Sequence, residues 1–185
     1  MRNITALLTT VAAITVLATT ASAKDTDGKF GLGYDQSLGG VSGLTARYWV
    51  GDFGIQGTLG VDFVKPDSGD SKMAFLFGLA GIYNFAKSEN ANLGVGLYID
   101  LGFANKAMMG GEDSSFQFNF AIPLRGEYFF SDHFAVNLAT GLTIAIIPKK
   151  GRVLDANNSA SSPKDFGVKF GAGGLFGSAG FTYYF

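Results

Sequence analysis

The 185-residue chain has no cysteine, four prolines and a single histidine, and its 14 Lys and Arg nearly cancel its 15 Asp and Glu. Without cysteine there is neither a disulfide framework nor the lipid-bearing residue of a lipoprotein. The fold must therefore be held by backbone pairing and packing. A net charge of −1 with no basic block argues against nucleic acid as a partner. Beyond the first 23 residues, no uncharged run is long enough for a membrane-spanning helix.

The N-terminus carries its own signal. Arg2 is followed by the uncharged stretch 4–23, which ends Ala21-Ser22-Ala23 just before Lys24 and Asp25. A charged start, an apolar middle and small residues at the end are the pattern of a secretory signal peptide. Six threonines dilute the stretch, and it lacks the aromatic or basic flank of a retained helix. Residues 1–23 are thus expected to be a cleaved signal peptide, leaving 24–185 as one domain.

What is abundant is glycine and phenylalanine. All 27 glycines lie after residue 23, about one residue in six of that part, against a usual share near 7%. Eighteen phenylalanines exclude a solvated, disordered chain. Alternation with a period of two dominates, which predicts strands over 28–35, 43–50, 53–64, 73–85, 92–103, 115–129, 134–147 and 166–185. The last breaks parity: Val168 and Phe170 are even, whereas Phe181, Tyr183 and Phe185 are odd. A bulge near residues 171–174 would absorb the slip, in a glycine-rich stretch suited to it. Connections at 51–52, 86–91 and 130–133 are short, and those at 36–42, 65–72, 104–114 and 148–165 are mostly longer and more polar. An even strand count with short turns at one end and long loops at the other predicts an all-β, eight-stranded antiparallel up-and-down barrel.

Which face points outward is decided by the less apolar one. It carries Gly, Asn, Gln and Thr with few charges, whereas the wet exterior of a soluble ligand-binding barrel would be rich in Lys and Glu. Eight charges fall within the strands: Lys29, Asp35, Arg47, Asp62, Asp100, Arg125, Glu127 and Lys169. All share the face opposite the apolar one. Exclusion of charge from one face of every strand is what lipid exposure demands. Aromatics gather at both strand ends, Tyr48, Phe53, Tyr83, Phe85, Tyr128 and Phe134 by the short turns and Tyr34, Phe63, Phe75, Phe103 and Phe116 by the long loops. The reading is a transmembrane β-barrel with the apolar face outward.

A signal peptide, eight amphipathic strands and a final strand ending Phe181, Tyr183, Phe185 resemble the small bacterial outer-membrane barrels of the OmpX and OmpA-barrel type. The resemblance spans 24–185. It implies location in the outer membrane, insertion by the barrel assembly machinery through that C-terminal signature, and contact with lipid and lipopolysaccharide. It also implies short turns in the periplasm and long loops outside, and the expected state is a monomer. Such folds host several functions.

The charges on the polar face form the candidate site. Arg47, Arg125 and Glu127 lie toward the short turns, and Asp62 and Asp100 toward the long loops, with Lys29 joining the first group and Asp35 and Lys169 the second. The reading is a lumen network in which Glu127 bridges Arg47 and Arg125. No catalytic, cofactor or metal site is expected. His133 in the Ser131-Asp132-His133 turn has no nucleophile and acid set pointing at it, and Asp67, Asp70, Glu112 and Asp113 match no calcium-loop spacing. The expected role is structural or surface-interacting with a plugged lumen. The alternative is a narrow conduit for small or hydrophobic solutes, of the OmpW kind. The exposed loops around Met108 and Met109 and around Lys149, Lys150 and Arg152 are the remaining surface for partners.

Overall fold

The computed structural model describes residues 24–109, 113–146, 153–154, 166–170 and 177–185, with 166–170 described as backbone alone. The expected signal peptide, residues 1–23, lies outside the described residues, as do Glu112, residues 147–150 and Arg152. The strands are β1 (Phe30–Gln36), β2 (Ser42–Val50), β3 (Phe53–Val64), β4 (Lys72–Lys87), β5 (Ala91–Ala104), β6 (Ser115–Phe129), β7 (Phe134–Ile146), β8 (Phe166–Phe170) and β9 (Ser178–Tyr184). Neighbours pair antiparallel from β1 through β7, and β9 pairs with both β7 and β1. The sheet thus closes into a barrel of eight staves, since β8 and β9 both lie along β7 and form one interrupted stave.

That interruption explains the parity break. Leu142 pairs with Phe170 and Ala139 with Ser178, so two residues separate these pairings on β7 and seven separate them along the other segment. The excess of five is odd, which turns the later residues to the opposite face. The expected bulge at 171–174 lies outside the described residues. At the other end of the sequence, β1 begins at Phe30 rather than at residue 28. Gly28 has φ +69° and the Lys29 amide bonds back to the Thr26 carbonyl, so a turn occupies that place.

Burial follows the alternation. Along β3 the pattern is exposed–buried from Phe53, and along β6 it runs buried–exposed from Ser115. The exposed set is apolar: Leu44 is 77% exposed, Ile55 53%, Leu97 46% and Leu124 46%. The buried set includes Thr45, Arg47, Gln56, Asp100, Asn119, Arg125, Glu127 and Thr143. The molecule is therefore inverted relative to a soluble barrel, with hydrocarbon outside and polar groups within. Rings expected at the two rims are exposed in both, including Tyr48, Phe53, Tyr83, Phe85 and Tyr128 at the turn end and Phe63, Phe75, Phe103 and Phe116 at the loop end. Phe181, Tyr183 and Phe185 all face outward. The Phe185 amide donates to the Phe30 carbonyl at 2.9 Å and its ring stacks on Phe30 at 6.4 Å, so the final residue joins the seam that closes the barrel.

Candidate functional site

The interior is built from the small inward residues of the staves, which leave space for a few large polar ones. Arg47 on β2 is the hub. Its Nη1 donates to Glu127 Oε1 on β6 at 2.7 Å, four staves away across the lumen. Its Nε donates to Gln56 on β3 at 2.8 Å, its second nitrogen also reaches Gln56, and it pairs with Asp35 on β1 at 3.4 Å. Arg125 Nη2 donates to the same Glu127 oxygen at 3.0 Å, so Glu127 lies between the two arginines. The Tyr184 hydroxyl accepts from Arg47 at 2.9 Å and from the Trp49 indole at 3.2 Å, and donates to Glu127 at 2.9 Å. Asp35 also accepts from Gln56 at 2.9 Å and from Asn137 on β7 at 3.1 Å. Two cations and two carboxylates are thus matched in charge, each at 2% exposure or less. Buried charges demand such pairing, because desolvation of an unpaired ion costs several kcal/mol.

Asp62 does not join this cluster. It has the inward parity of β3, yet it is exposed and makes no ion pair among the described residues. The β2–β3 ladder ends at Leu44 and Leu59, so the last residues of β3 stand beyond β2 and reach water. Asp35, placed toward the long loops by its strand position, instead reaches Arg47, because tilted strands bring residues at different positions along them to one depth. Lys29 precedes β1 and is not a strand residue.

Asp100 stands apart, on the loop side. Loop 37–41 folds inward rather than away from the barrel, with Ser37, Leu38 and Val41 all buried. Ser37 Oγ donates to Asp100 Oδ2 at 2.6 Å and accepts the Val41 amide at 3.0 Å, and the Asn119 side chain donates to the Gly39 carbonyl. Thr143 donates to the Leu38 carbonyl at 3.3 Å. A Cβ on Gly39 would collide with Asp100 Oδ2, so glycine is what lets the backbone come this close. Above it, Leu154 is buried, and the amides of Val153 and Leu154 donate to Gln117 Oε1 at 2.8 and 3.0 Å.

The turn end carries an aromatic floor that the sequence reading did not single out. Trp49, Phe129 and Tyr184 point inward and are buried, with Phe129 and Tyr184 rings 5.8 Å apart. Gly54 makes room for the indole, which would lie 2.8 Å from a Cβ there. The signal was present as doubled aromatics, Tyr48-Trp49, Tyr128-Phe129 and Tyr183-Tyr184, one of each pair facing in. Residues 24–29 cross below this floor. Gly28 N donates to the Trp49 carbonyl at 3.0 Å, Lys24 N to that of Ser88 at 2.9 Å, and Thr26 is fully buried. The Lys24 ammonium sits 5.4 Å over the Phe129 ring and bonds Asp132, holding that exposed carboxyl below its usual range. His133 Nδ1 donates to the Tyr184 carbonyl, 2.9 Å away, and the ring stacks on Tyr183, which makes it a turn fastener.

No family model matches the chain, and no curated protein matches it. Among solved structures it is similar to Ail, the attachment invasion locus protein of Yersinia pestis, with 14% identity, 86% of this chain and 99% of that chain covered, and a TM-score of 0.40. The barrel assignment rests on the closed strand pairing of this chain itself.

Proposed function

We propose that the chain is an integral outer-membrane β-barrel with a structural or surface-interaction role and a lumen occluded by its own side chains. The observation that carries this reading is the inversion of faces. Large hydrophobics such as Leu44, Leu59, Val61 and Leu97 are exposed around the barrel while Arg47, Arg125 and Glu127 are buried within. An exterior of this kind is stable in hydrocarbon and is an aggregation hazard in water. Closure runs through β9, which pairs with both β7 and β1, while β8 pairs with β7 alone among the described residues; a strand-built span requires such closure. On the resemblance to the small outer-membrane barrels, residues 1–23 direct export, Phe181, Tyr183 and Phe185 present the assembly signature, and lipid and lipopolysaccharide surround a monomer. The role is non-catalytic, with neither cofactor nor metal.

Occlusion is supported at three levels: the aromatic floor, the Arg47–Glu127–Arg125 cluster, and loop 37–41. Small barrels of eight strands have interiors just wide enough for side chains to fill. Single-channel recording of the purified protein in a planar bilayer tests this. The expected result is a silent membrane after insertion is verified. Steady conductance would overturn the occluded reading and favour the solute conduit.

A further inference from the structure

Asp100 is buried to 1% exposure, and no ion pair reaches it among the described residues. Its Oδ1 has no hydrogen-bond partner among them. The groups facing it come from every neighbouring element: Ser37 and Gly39 from the loop, Thr58 from β3, Gly78 and Ala80 from β4, Tyr98 from its own strand and Asn119 from β6. Among the described residues, the titratable groups in its surroundings are Tyr98, which brings no positive charge, and Asp35, a second carboxylate that acts on it through space. Arg47 and Arg125 are engaged with Asp35 and Glu127 instead. The space between Asp100, Thr58 and Tyr98 is too narrow for a water molecule. An ionised carboxylate in this position has neither a described countercharge nor room for water, which is the costly case for a buried ion.

We propose that Asp100 is a proton-binding site whose protonation seats loop 37–41 in the lumen and whose ionisation releases it. With the proton on Oδ1, the carboxyl still accepts from Ser37 through Oδ2, and the loop closes over a neutral group. With the proton gone, the Ser37 hydroxyl still donates to Oδ2 but no described cation meets the charge, and the water that would solvate it enters only past the loop. The seated state binds one proton more than the released state, so the ratio of released to seated loop rises with pH, about tenfold per unit while that proton is being lost. The aromatic floor and the arginine cluster are untouched by this movement, so the outer half of the lumen opens while the barrel stays closed below. The inference concerns the loop alone and does not depend on the protein's role in the membrane.

The absence of cysteine gives a clean reporter. Leu38→Cys in the full mature chain, folded in detergent, is reacted with a bulky maleimide across a pH series. Asp67→Cys in an exposed loop corrects for the pH dependence of the thiol itself. The corrected rate for the Leu38→Cys thiol is expected to rise by tenfold or more from acid to alkaline pH, and adding Asp100→Asn, which cannot ionise, is expected to hold it at the low value throughout. A corrected rate that does not change with pH, or a rise that persists with Asp100→Asn, overturns the proposal. Should either variant fail to fold, exchange of the Val41 amide in the unaltered chain, divided by its intrinsic rate, reads the same opening. Protection that falls as pH rises supports the proposal, and constant protection overturns it.

Discussion

Residue by residue, the interior obeys one constraint: a charge taken from water must be met inside. Glu127 shows the consequence most sharply, since a single oxygen accepts from Arg47, Arg125 and Tyr184. Removing it as Glu127→Ala strands Arg125 without an anion among the described residues and leaves Arg47 only Asp35, at 3.4 Å, as an anionic partner. The expected loss is about 3–5 kcal/mol, the range for breaking one side of a buried pair. Urea unfolding of the protein in lipid vesicles checks this, and a loss below about 1 kcal/mol would mean that the arginines are solvated. Parity in the sequence was enough to set Arg47, Arg125 and Glu127 on the inner face. It did not reveal that Asp35, Gln56 and Tyr184 complete the set. Those contacts depend on strand tilt and on the reach of an arginine across the lumen, neither of which is written in a local pattern. Parity also misplaced Asp62, because a strand can outrun its neighbour and leave an inward residue in water.

For the strands, legibility tracked the cleanness of alternation. β3 and β6 run over the spans read from the sequence, since each alternates without interruption and is bounded by a short turn on one side and a longer polar loop on the other. The eighth stave is where reading failed to resolve two segments, because an excess of five residues leaves only a change of parity as its trace. Loop 37–41 was read as an external connection, as short polar and glycine-rich segments usually are. Its inward fold depends on Gly39 meeting Asp100 and on Asn119 and Thr143 on distant strands. The outer faces of the strands carry a depth-dependent test. Leu97→Arg, at the middle of β5, is expected to cost about 2–4 kcal/mol, and Phe53→Arg at the turn-side rim about 0–1 kcal/mol. Equal and small costs, measured by unfolding in vesicles, would show that this face meets water.

On the scale of the whole molecule, closure makes the rest possible. Phe185 bonds to Phe30, β9 joins β1 to β7, and Phe30, Leu32 and Tyr34 stand exposed beside Phe181, Tyr183 and Phe185 across the seam. The inverted distribution of polarity then has a single physical setting, a lipid bilayer. The measurement that tests this directly is gel mobility of fractionated cell membranes, with and without boiling in detergent. The protein is expected in the outer-membrane fraction, with a shift in mobility on boiling as a closed barrel unfolds. Recovery in the soluble periplasm, with no membrane pool and no shift, would contradict a barrel embedded in lipid.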